Sequence, residues 1–226
     1  MKLPDDILLV DKPKGITSFD VIRRLRKELH IKKMGHAGTL DPLATGLMII
    51  GIESGTKKLH EYLKLPKEYN AEIRIGERRS TGDMEGDILE EKSISILDEE
   101  KVKKILKEMQ GTLALPVSAY SAIKKDGVPF YMRARKAEKT GAVVEDIPLR
   151  AMEVYEAELQ SIACAEKRCV VTVRFFVGSG TYIRSLGEEL GRRLGYPAVL
   201  QNLRRTKVGD FDTIIKEDET KISTFF

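Results

Sequence analysis

The segment GHAGTLDPLATG, residues 35–46, contains a single carboxylate, Asp41, among three glycines and beside a proline. Because Pro42 disfavours the helical region at the residue before it, and glycine tolerates tight turns, the segment predicts a shaped loop around the acid. Asp41 could cap the following turn, as aspartate before proline often does. Alternatively, a lone carboxylate can attack an electrophilic carbon as a nucleophile, and we carry this second interpretation forward.

Other chemistries need partners that the sequence does not place beside Asp41. Only His36 lies near as a metal-ligand type, so the pattern does not favour a metal site. Ordinary glycoside hydrolysis needs two carboxylates, and no second one is evident. An arginine would keep the acid ionised and oriented, and Arg184, directly after GSGTYI, could supply it unless it is an ordinary helix-surface base. We expect no metal and no cofactor.

The elements that would position these residues mix strands and helices. Apolar runs and alternating patterns predict strands, and apolar residues at helical spacing predict helices. Phe19, Ile22, Leu25 and Leu29 form such a helical stripe, with a capping signature at Thr17. The predicted strands are 7–10, 46–52, 69–75, and a hairpin of 150–165 with 168–177; the predicted helices begin near 17, 56, 98 and 182.

Composition bounds the class of protein. The 226 residues are 42% apolar, which is enough for a substantial core, and no apolar run could span a bilayer or act as a signal peptide. We expect a cytoplasmic protein whose two cysteines, Cys164 and Cys169, are reduced thiols. Residues 167–207 hold nine Lys/Arg against two acids, a concentration of charge that suits a polyphosphate partner.

Six ordered motifs carry a resemblance to a known family. From about residue 7 to residue 212, the chain resembles the bacterial tRNA pseudouridine-55 synthases of the TruB family. The resemblance implies an α+β pseudouridine synthase fold, with a central, mainly antiparallel mixed sheet flanked by helices. The motifs are LVDKPKGITS (9–18), GHAGTLDPLATG (35–46), KEY (67–69), SAYSAIK (118–124), GTYIR (180–184) and LRR (203–205).

The resemblance also implies a reaction. The family isomerises uridine in the T-loop of tRNA by cutting the N1–C1′ bond, turning the uracil and rejoining it through C5. Asp41 matches the catalytic aspartate, which would act on a nucleotide removed from the base stack. The first step stays open among attack on C1′, attack on C6 and removal of the 2′ proton.

Further site residues follow from the same matches. Tyr69 matches the tyrosine that packs on the target base. Tyr182 and Arg184 match the Tyr-x-Arg of the site, which implies that Arg184 pairs with Asp41 and that Tyr182 lies near the uracil. His36 matches the histidine that fills the space left by the extruded nucleotide.

Three more residues are assigned to substrate binding, and one position departs from the family. Lys12 is expected to support the site or a phosphate, and Lys124 and Leu203 belong to matched motifs. Ser80 stands where the family carries an acid, while Asp83 keeps the later acid of that loop. The substitution puts in doubt the hydrogen bonds from this loop to RNA or to the site.

The resemblance finally implies an organisation and a partner. We expect one catalytic domain over 1–226, with an inserted RNA-contacting lobe at 112–148 and without the family's C-terminal RNA-binding (PUA-type) domain. The expected partner is the T-arm of tRNA, bound by a monomer with no obligate protein partner. A synthase that modifies another RNA, and a non-catalytic RNA chaperone, remain the alternatives.

Overall fold

The computed structural model describes residues 6–118, 124–125, 127–130, 132–134 and 147–212. The strands in chain order are β1 Ile7–Lys12, β2 Met34–His36, β3 Thr45–Ile52, β4 Lys67–Ile75, β5 Glu77–Arg79, β6 Ile88–Glu91, β7 Gly111–Pro116, β8 Lys124–Lys125, β9 Val128–Pro129, β10 Leu149–Ala165, β11 Arg168–Val177, β12 Ala198–Val208 and β13 Phe211–Asp212. The α-helices are Ser18–Leu29, Leu59–Lys64, Glu99–Glu108 and Ile183–Leu194, here α1 to α4, and Glu53–Lys57 is a 3-10 helix.

One large sheet dominates the fold. It has nine strands in the order β1-β3-β12-β4-β11-β10-β7, with β2 also paired to β3 and β13 to β12. β1 and β3 are antiparallel, as are β7 and β10, whereas β3 and β12 are parallel, with Thr45 opposite Arg204. The predicted α+β class with a mainly antiparallel mixed sheet is confirmed.

The described chain divides into two compact units. Unit 1 comprises 6–71, 174–179 and 202–212, and unit 2 comprises 72–173 and 180–201. The core of unit 1 lies between its strands and α2, where aliphatic side chains surround Tyr62 and Phe211, whose rings meet edge to face at 5.8 Å. Its buried members are Ile7, Leu9, Ala37, Leu47, Ile49, Leu59, Tyr62, Val208 and Phe211.

Helix α1 in unit 1 begins at the predicted capping signature. The Thr17 hydroxyl accepts the Asp20 amide at 3.0 Å, and the Asp20 carboxylate accepts the Thr17 amide at 2.9 Å, which together form a capping box. The predicted apolar stripe is partly wrong, because Phe19 is 56% exposed. Ser18 takes the buried position of that first turn, one residue earlier, and Val21, Ile22 and Leu25 continue the buried face.

In unit 2, helix α3 begins at Asp98, as predicted, and packs on β10 and on α4. Gly191 of α4 allows close packing, because a Cβ there would lie 2.3 Å from the Ala198 Cβ. A Cβ at Gly187 would lie 3.5 Å from Ile73, which is ordinary contact. Only one of the two helical glycines is therefore required by sterics.

Two predicted segments differ from the structure. The helix expected from residue 56 is divided into the 3-10 helix, which begins earlier at Glu53, and α2, with Lys58 as the cap residue between them. The lobe expected at 112–148 begins inside the sheet, since β7 pairs with β10 over six residues. Beyond β7, much of that lobe lies outside the described residues, and so does the side chain of Lys124, whose backbone belongs to β8.

The expectation of two reduced thiols is wrong in this structure. Cys164 and Cys169 form a disulfide bond, with their Cα atoms 4.0 Å apart. Glu166 and Lys167, with φ of 49° and 64°, form the turn between β10 and β11 and bring the two cysteines opposite each other. The predicted hairpin already implied this proximity, which composition alone had hidden.

Among the described helices, none is both long enough and apolar enough to cross a lipid bilayer.

Candidate active site

Asp41 lies on the loop 37–44, which joins β2 to β3 in unit 1 and is called here the aspartate loop. The Asp41 side chain is half-buried, and its carbonyl accepts the Ala44 amide at 3.0 Å to close a turn. The next carbonyl, that of Pro42, accepts the Gly15 amide at 2.8 Å. These contacts use the backbone of the loop, so they hold its shape without involving the Asp41 carboxylate.

Lys12 anchors the same loop from the end of β1. Its side chain is fully buried, and its Nζ donates to the carbonyls of Ala44 at 2.6 Å, Pro13 at 2.9 Å and Pro42 at 3.4 Å. A buried ammonium is costly unless its protons are hydrogen-bonded, and three carbonyl acceptors meet that need. Lys12, predicted to support the site, is a structural support of the aspartate loop.

Ser18 anchors the loop from the first turn of α1. Its hydroxyl accepts the Leu40 amide at 2.8 Å and donates to the Leu40 carbonyl at 3.0 Å. Because Leu40 directly precedes Asp41, the start of α1 fixes both backbone polar groups of the residue next to the acid. This buried pair of hydrogen bonds explains why a serine occupies the apolar side of the helix.

Arg205, on β12, completes the anchoring from the opposite end of unit 1's sequence. It is 1% exposed and donates to the carbonyls of Leu47 at 2.7 Å and Gly38 at 3.1 Å. Its backbone approaches β3 so closely that a Cβ at Gly46 would lie 2.2 Å from the Arg205 carbonyl oxygen, and Gly46 has φ of +108°. Only glycine fits at position 46.

His36, the last residue of β2, precedes the aspartate loop and is half-buried. Burial lowers its pKa below the ordinary value of 6.5, and the nearby positive charge of Arg205 lowers that pKa further. The imidazole is therefore neutral at physiological pH. A neutral, partly apolar ring suits contact with a nucleobase better than contact with a phosphate.

Lys67 and Tyr69 share the buried face of β4 at its start. Lys67 donates to the carbonyls of Leu63 and Leu65, each at 2.6 Å, and burial with the charge of Arg205 lowers its pKa from 10.5 to about 8. The structural part of Lys67 was missed in the sequence, although KEY was recognised as a motif. Tyr69, two residues further, is 8% exposed.

Arg184 lies in the first turn of α4, in unit 2, and is 6% exposed. Its Nη1 donates to the Thr81 carbonyl at 2.9 Å and lies 3.6 Å from the Asp83 carboxylate. The neighbouring Ser185 hydroxyl donates to the Pro116 carbonyl at 2.7 Å. Arg184 is therefore a buried cation of α4 that contacts the loop between β5 and β6. It is not the ordinary helix-surface base that was the alternative.

That loop, residues 80–87, is called here the arginine-side loop. The Asp83 carboxylate accepts the Thr81 hydroxyl at 2.6 Å and the Glu85 amide at 3.1 Å. The Ser80 hydroxyl accepts the Asp87 amide at 3.1 Å, and the Ser80 amide donates to the Asp87 carbonyl at 3.0 Å. Serine at position 80 thus closes the turn within the loop.

The expected site residues divide between the two units. Unit 1 contains Asp41, His36, Lys12, Tyr69 and Leu203, whose carbonyl accepts the Thr45 hydroxyl at 3.5 Å.

Unit 2 contains Arg184 and Tyr182, the N-cap residue of α4, which is half-buried. The expected pair between Asp41 and Arg184 stays a prediction. Within the described residues, no three His, Cys, Asp or Glu side chains are grouped as metal ligands would be.

Solved structures with the same fold define the class of protein. The chain matches a Cbf5-Nop10-Gar1 complex with a TM-score of 0.67 and 28% identity, covering 92% of this chain and 50% of that one. It matches an H/ACA RNP bound to a substrate RNA containing 2′-deoxyuridine with a TM-score of 0.65 and 27% identity. The chain spans about half the length of these structures. The fold is that of the pseudouridine synthases, which are RNA-modifying isomerases.

Sequence comparisons give the family. The model of the TruB family pseudouridylate synthases, N-terminal domain, matches residues 26–183. A relative from Corynebacterium efficiens called tRNA pseudouridine synthase B is 40% identical over 205 residues, which are 91% of this chain and 67% of the relative. One of the same name from Leifsonia xyli is 41% identical over 209 residues, covering 68% of the relative. The chain belongs to the TruB family.

Proposed function

We propose that this protein converts uridine to pseudouridine at position 55, in the T-loop of tRNA, with Asp41 as the catalytic carboxylate. The observation that carries the proposal is the anchoring of the aspartate loop. Lys12, Ser18 and Arg205 hold its backbone, as expected of a loop that must present an acid in one geometry. The relatives called tRNA pseudouridine synthase B support tRNA as the substrate.

In this reaction the protein has to position the nucleotide and the catalytic groups and to transfer protons. The N1–C1′ bond breaks, the uracil turns, a C1′–C5 bond forms, and the C5 proton leaves while N1 gains one. The product is an isomer, so the reaction consumes no oxidant, reductant or group donor, and we propose no cofactor and no metal. Asp41 starts at the ribose of a nucleotide removed from the stack, which its loop can approach only when the base is extruded.

The other site residues take supporting parts in this proposal. Tyr69 packs on the extruded uracil and moves the C5 proton through its hydroxyl, and Tyr182 lies beside the same base. Arg184 pairs with Asp41 and keeps the carboxylate ionised, since a buried guanidinium favours a neighbouring negative charge. His36, neutral because of its lowered pKa, fills the space that the extruded nucleotide leaves.

Binding is proposed to rest on the catalytic body. Lys12 acts by holding the aspartate loop, Leu203 contributes apolar contact, and Lys124 contacts RNA from the segment 112–148. The T-arm is the partner, bound by a cytoplasmic monomer without an obligate protein partner. Salt should weaken binding strongly, since each neutralised phosphate releases counterions.

One alternative has a specific observation in its favour. The matched H/ACA structure contains a substrate RNA rather than a named tRNA, so another RNA as the target of this chain is the second candidate. The relatives at about 40% identity favour tRNA over it. Mapping pseudouridine in total RNA from cells lacking the gene separates the two, because the missing modification identifies the target.

The direct test is Asp41→Asn. Asparagine keeps the size of the side chain and can still cap a turn, but it removes the charge and the nucleophile. We expect the rate of pseudouridine formation on a T-arm hairpin to fall by at least about a thousandfold, because positioned nucleophiles supply orders of magnitude in rate. Affinity for the hairpin should be unchanged or slightly higher, since a carboxylate repels phosphates.

Two controls accompany that test. Asp87→Asn changes an exposed aspartate of the arginine-side loop in the same way and should leave the rate as it is. Circular dichroism and thermal unfolding establish that the Asp41 variant is folded. A folded Asp41→Asn protein that binds the hairpin and still forms pseudouridine at a substantial rate contradicts the proposal, and so does native protein that modifies no RNA.

A further inference from the structure

Phe19 is an exposed aromatic residue at the start of α1 that neither the core nor the proposed chemistry uses. Its side chain is 56% exposed. The guanidinium carbons of Arg23 and Arg26 lie 5.7 Å and 5.9 Å from the ring centroid, so two cations flank the ring. The ring therefore makes cation–π contacts with two arginines while much of it remains open to solvent.

The segment that follows Phe19 is the densest run of positive charge in unit 1. Residues 23–33 contain six Lys/Arg against one acid, Glu28. Five of the six are exposed, and Arg26 is half-buried, where it donates to the Met34 carbonyl at 3.2 Å. Arg23 keeps an ion pair with Asp20 at 2.8 Å, on the exposed surface. An aromatic ring among several cations is the composition of a surface that binds unpaired nucleotides.

The start of α1 is joined to the aspartate loop through one buried residue. Ser18, directly before Phe19, makes both hydrogen bonds to Leu40, directly before Asp41. The backbone of Phe19 and that of Asp41 are therefore each one residue from the same buried contact. An RNA strand that presents one nucleotide to Asp41 would bring its neighbouring nucleotides to the start of α1.

We propose that Phe19, together with the lysines and arginines of residues 23–33, is an RNA-binding platform. The ring stacks on an unpaired nucleobase, and the cationic side chains contact the adjoining phosphates. The proposal rests on the proposed RNA substrate and adds a contact to that site. Charge favours RNA over a protein partner, because lysine is depleted in protein interfaces whereas clustered cations are the electrostatic footprint of nucleic-acid binding.

The test measures affinity for a T-arm hairpin with the full chain. Phe19→Ala should weaken binding by about 5- to 150-fold, since base–aromatic stacking is worth roughly 1–3 kcal/mol per base by alanine substitution. Phe19→Trp should keep or improve it. Because the residue is exposed, neither change should lower thermal stability appreciably. At saturating RNA, Phe19→Ala should recover the native turnover, which places the defect in KM.

Charge is tested separately by Lys27→Gln, an exposed lysine on α1. The slope of log affinity against log salt should become shallower by nearly one, the value for a single lost phosphate contact. The matched controls are Lys104→Gln on α3 and Ile96→Ala, which is 81% exposed. Both should bind as the native protein does.

The outcomes separate this inference from the proposed function. Absence of pseudouridine formation by native protein overturns the proposed function. If native protein is active but Phe19→Ala binds the hairpin with native affinity, the platform is wrong while the function stands. Native affinity together with a concentration-dependent dimer that Phe19→Ala abolishes assigns the surface to a second copy and likewise overturns the platform.

Discussion

The aspartate loop and the arginine-side loop are held by opposite electrostatic means. The aspartate loop is anchored by cations, Lys12 and Arg205, that donate to neutral backbone carbonyls. The arginine-side loop contains a buried cation, Arg184, that faces a buried anion, Asp83, at 3.6 Å. The first arrangement fixes the backbone of a loop through its carbonyls. The second places a countercharge beside a buried side chain.

The cations of unit 1 that donate to carbonyls have an electrostatic consequence. Lys67 and Arg205 hydrogen-bond to carbonyls among the described residues, so their positive charge is not cancelled by a paired carboxylate. Burial lowers the pKa of Lys67 and of His36, and the positive charge of Arg205 lowers both pKa values further. Buried positive charge without a paired carboxylate is a liability for folding.

The strongest test of the comparison is Lys12→Met. It removes the Lys12 donor from the carbonyls of Ala44 and Pro13, while the Pro42 carbonyl keeps the Gly15 amide, and each unsatisfied buried group costs roughly 1–3 kcal/mol. We expect thermal or urea unfolding to show a loss of about 2–5 kcal/mol in the free energy of unfolding. Lys14→Met is the control, because Lys14 is exposed and donates only to Asn202 among the described residues. Equal stability of the two variants would remove Lys12 from the anchoring.

Lys67→Met tests the cost of an uncancelled charge. As pH rises past about 8, the folded side chain loses its proton. The unfolded chain keeps its proton to about 10.5, so native stability should rise with pH in that window. The depression corresponds to roughly 3 kcal/mol.

Urea unfolding between pH 7.5 and 10.5 should show this rise in native protein and lack it in Lys67→Met. Lys64→Met, an exposed lysine of α2, should behave as native. The same slope in all three proteins would mean that Lys67 does not titrate in this range.

Asp83→Asn tests the paired loop. The amide can still accept from Thr81 and Glu85 through its oxygen, but the charge that faces Arg184 is lost. We expect a loss of about 1–3 kcal/mol in unfolding free energy, because a buried cation then lacks part of its compensation. High salt should not reproduce the effect in native protein, since the pair is buried. A loss no larger than that of exposed Asp87→Asn would contradict the pairing.

Ser80→Ala and Ser80→Asp give the smallest expected effects. Alanine removes the acceptor of the Asp87 amide at the surface, which should cost about 0.5–1 kcal/mol in thermal unfolding. Aspartate restores the acid of the family and can accept the same amide, so its stability should equal that of native protein. If Ser80→Asp raised turnover well above native, the hydroxyl would be an incomplete replacement for the acid.

Much of the fold could be predicted because its signals are local. The capping box of Thr17 and Asp20, the N-cap Asp98 and the hairpin of β10 and β11 each depend on residues a few positions apart. The strand β12 was not predicted, because Arg205 is buried in it and interrupts the apolar pattern. Phe19 was wrongly assigned to the buried face because it is apolar and has helical spacing. That pattern does not reveal that Ser18 occupies the buried position in order to hydrogen-bond Leu40.

The site was predicted unevenly for a related reason. The resemblance identified Asp41 and Arg184 as expected site residues. The backbone around Asp41 is hydrogen-bonded, and the Arg184 side chain donates to the Thr81 carbonyl. The anchoring parts of Ser18, Lys67 and Arg205 could not be predicted, because their partners are backbone carbonyls and amides, which every residue has. When a side chain contacts a distant backbone group, only the residue with the side chain is constrained in type, so the sequence does not show its partner.

The double hydrogen bond between Ser18 and Leu40 has a kinetic consequence. Surface loops usually exchange their amide protons through small local openings. The Leu40 amide is buried and donates to a hydroxyl on α1, so its proton can exchange only when the loop separates from the helix. Its deuterium uptake should therefore follow the slow opening of α1 rather than the rate of its exposed neighbour Thr39. The amide of the residue before Asp41 would then exchange at the rate at which the helix opens.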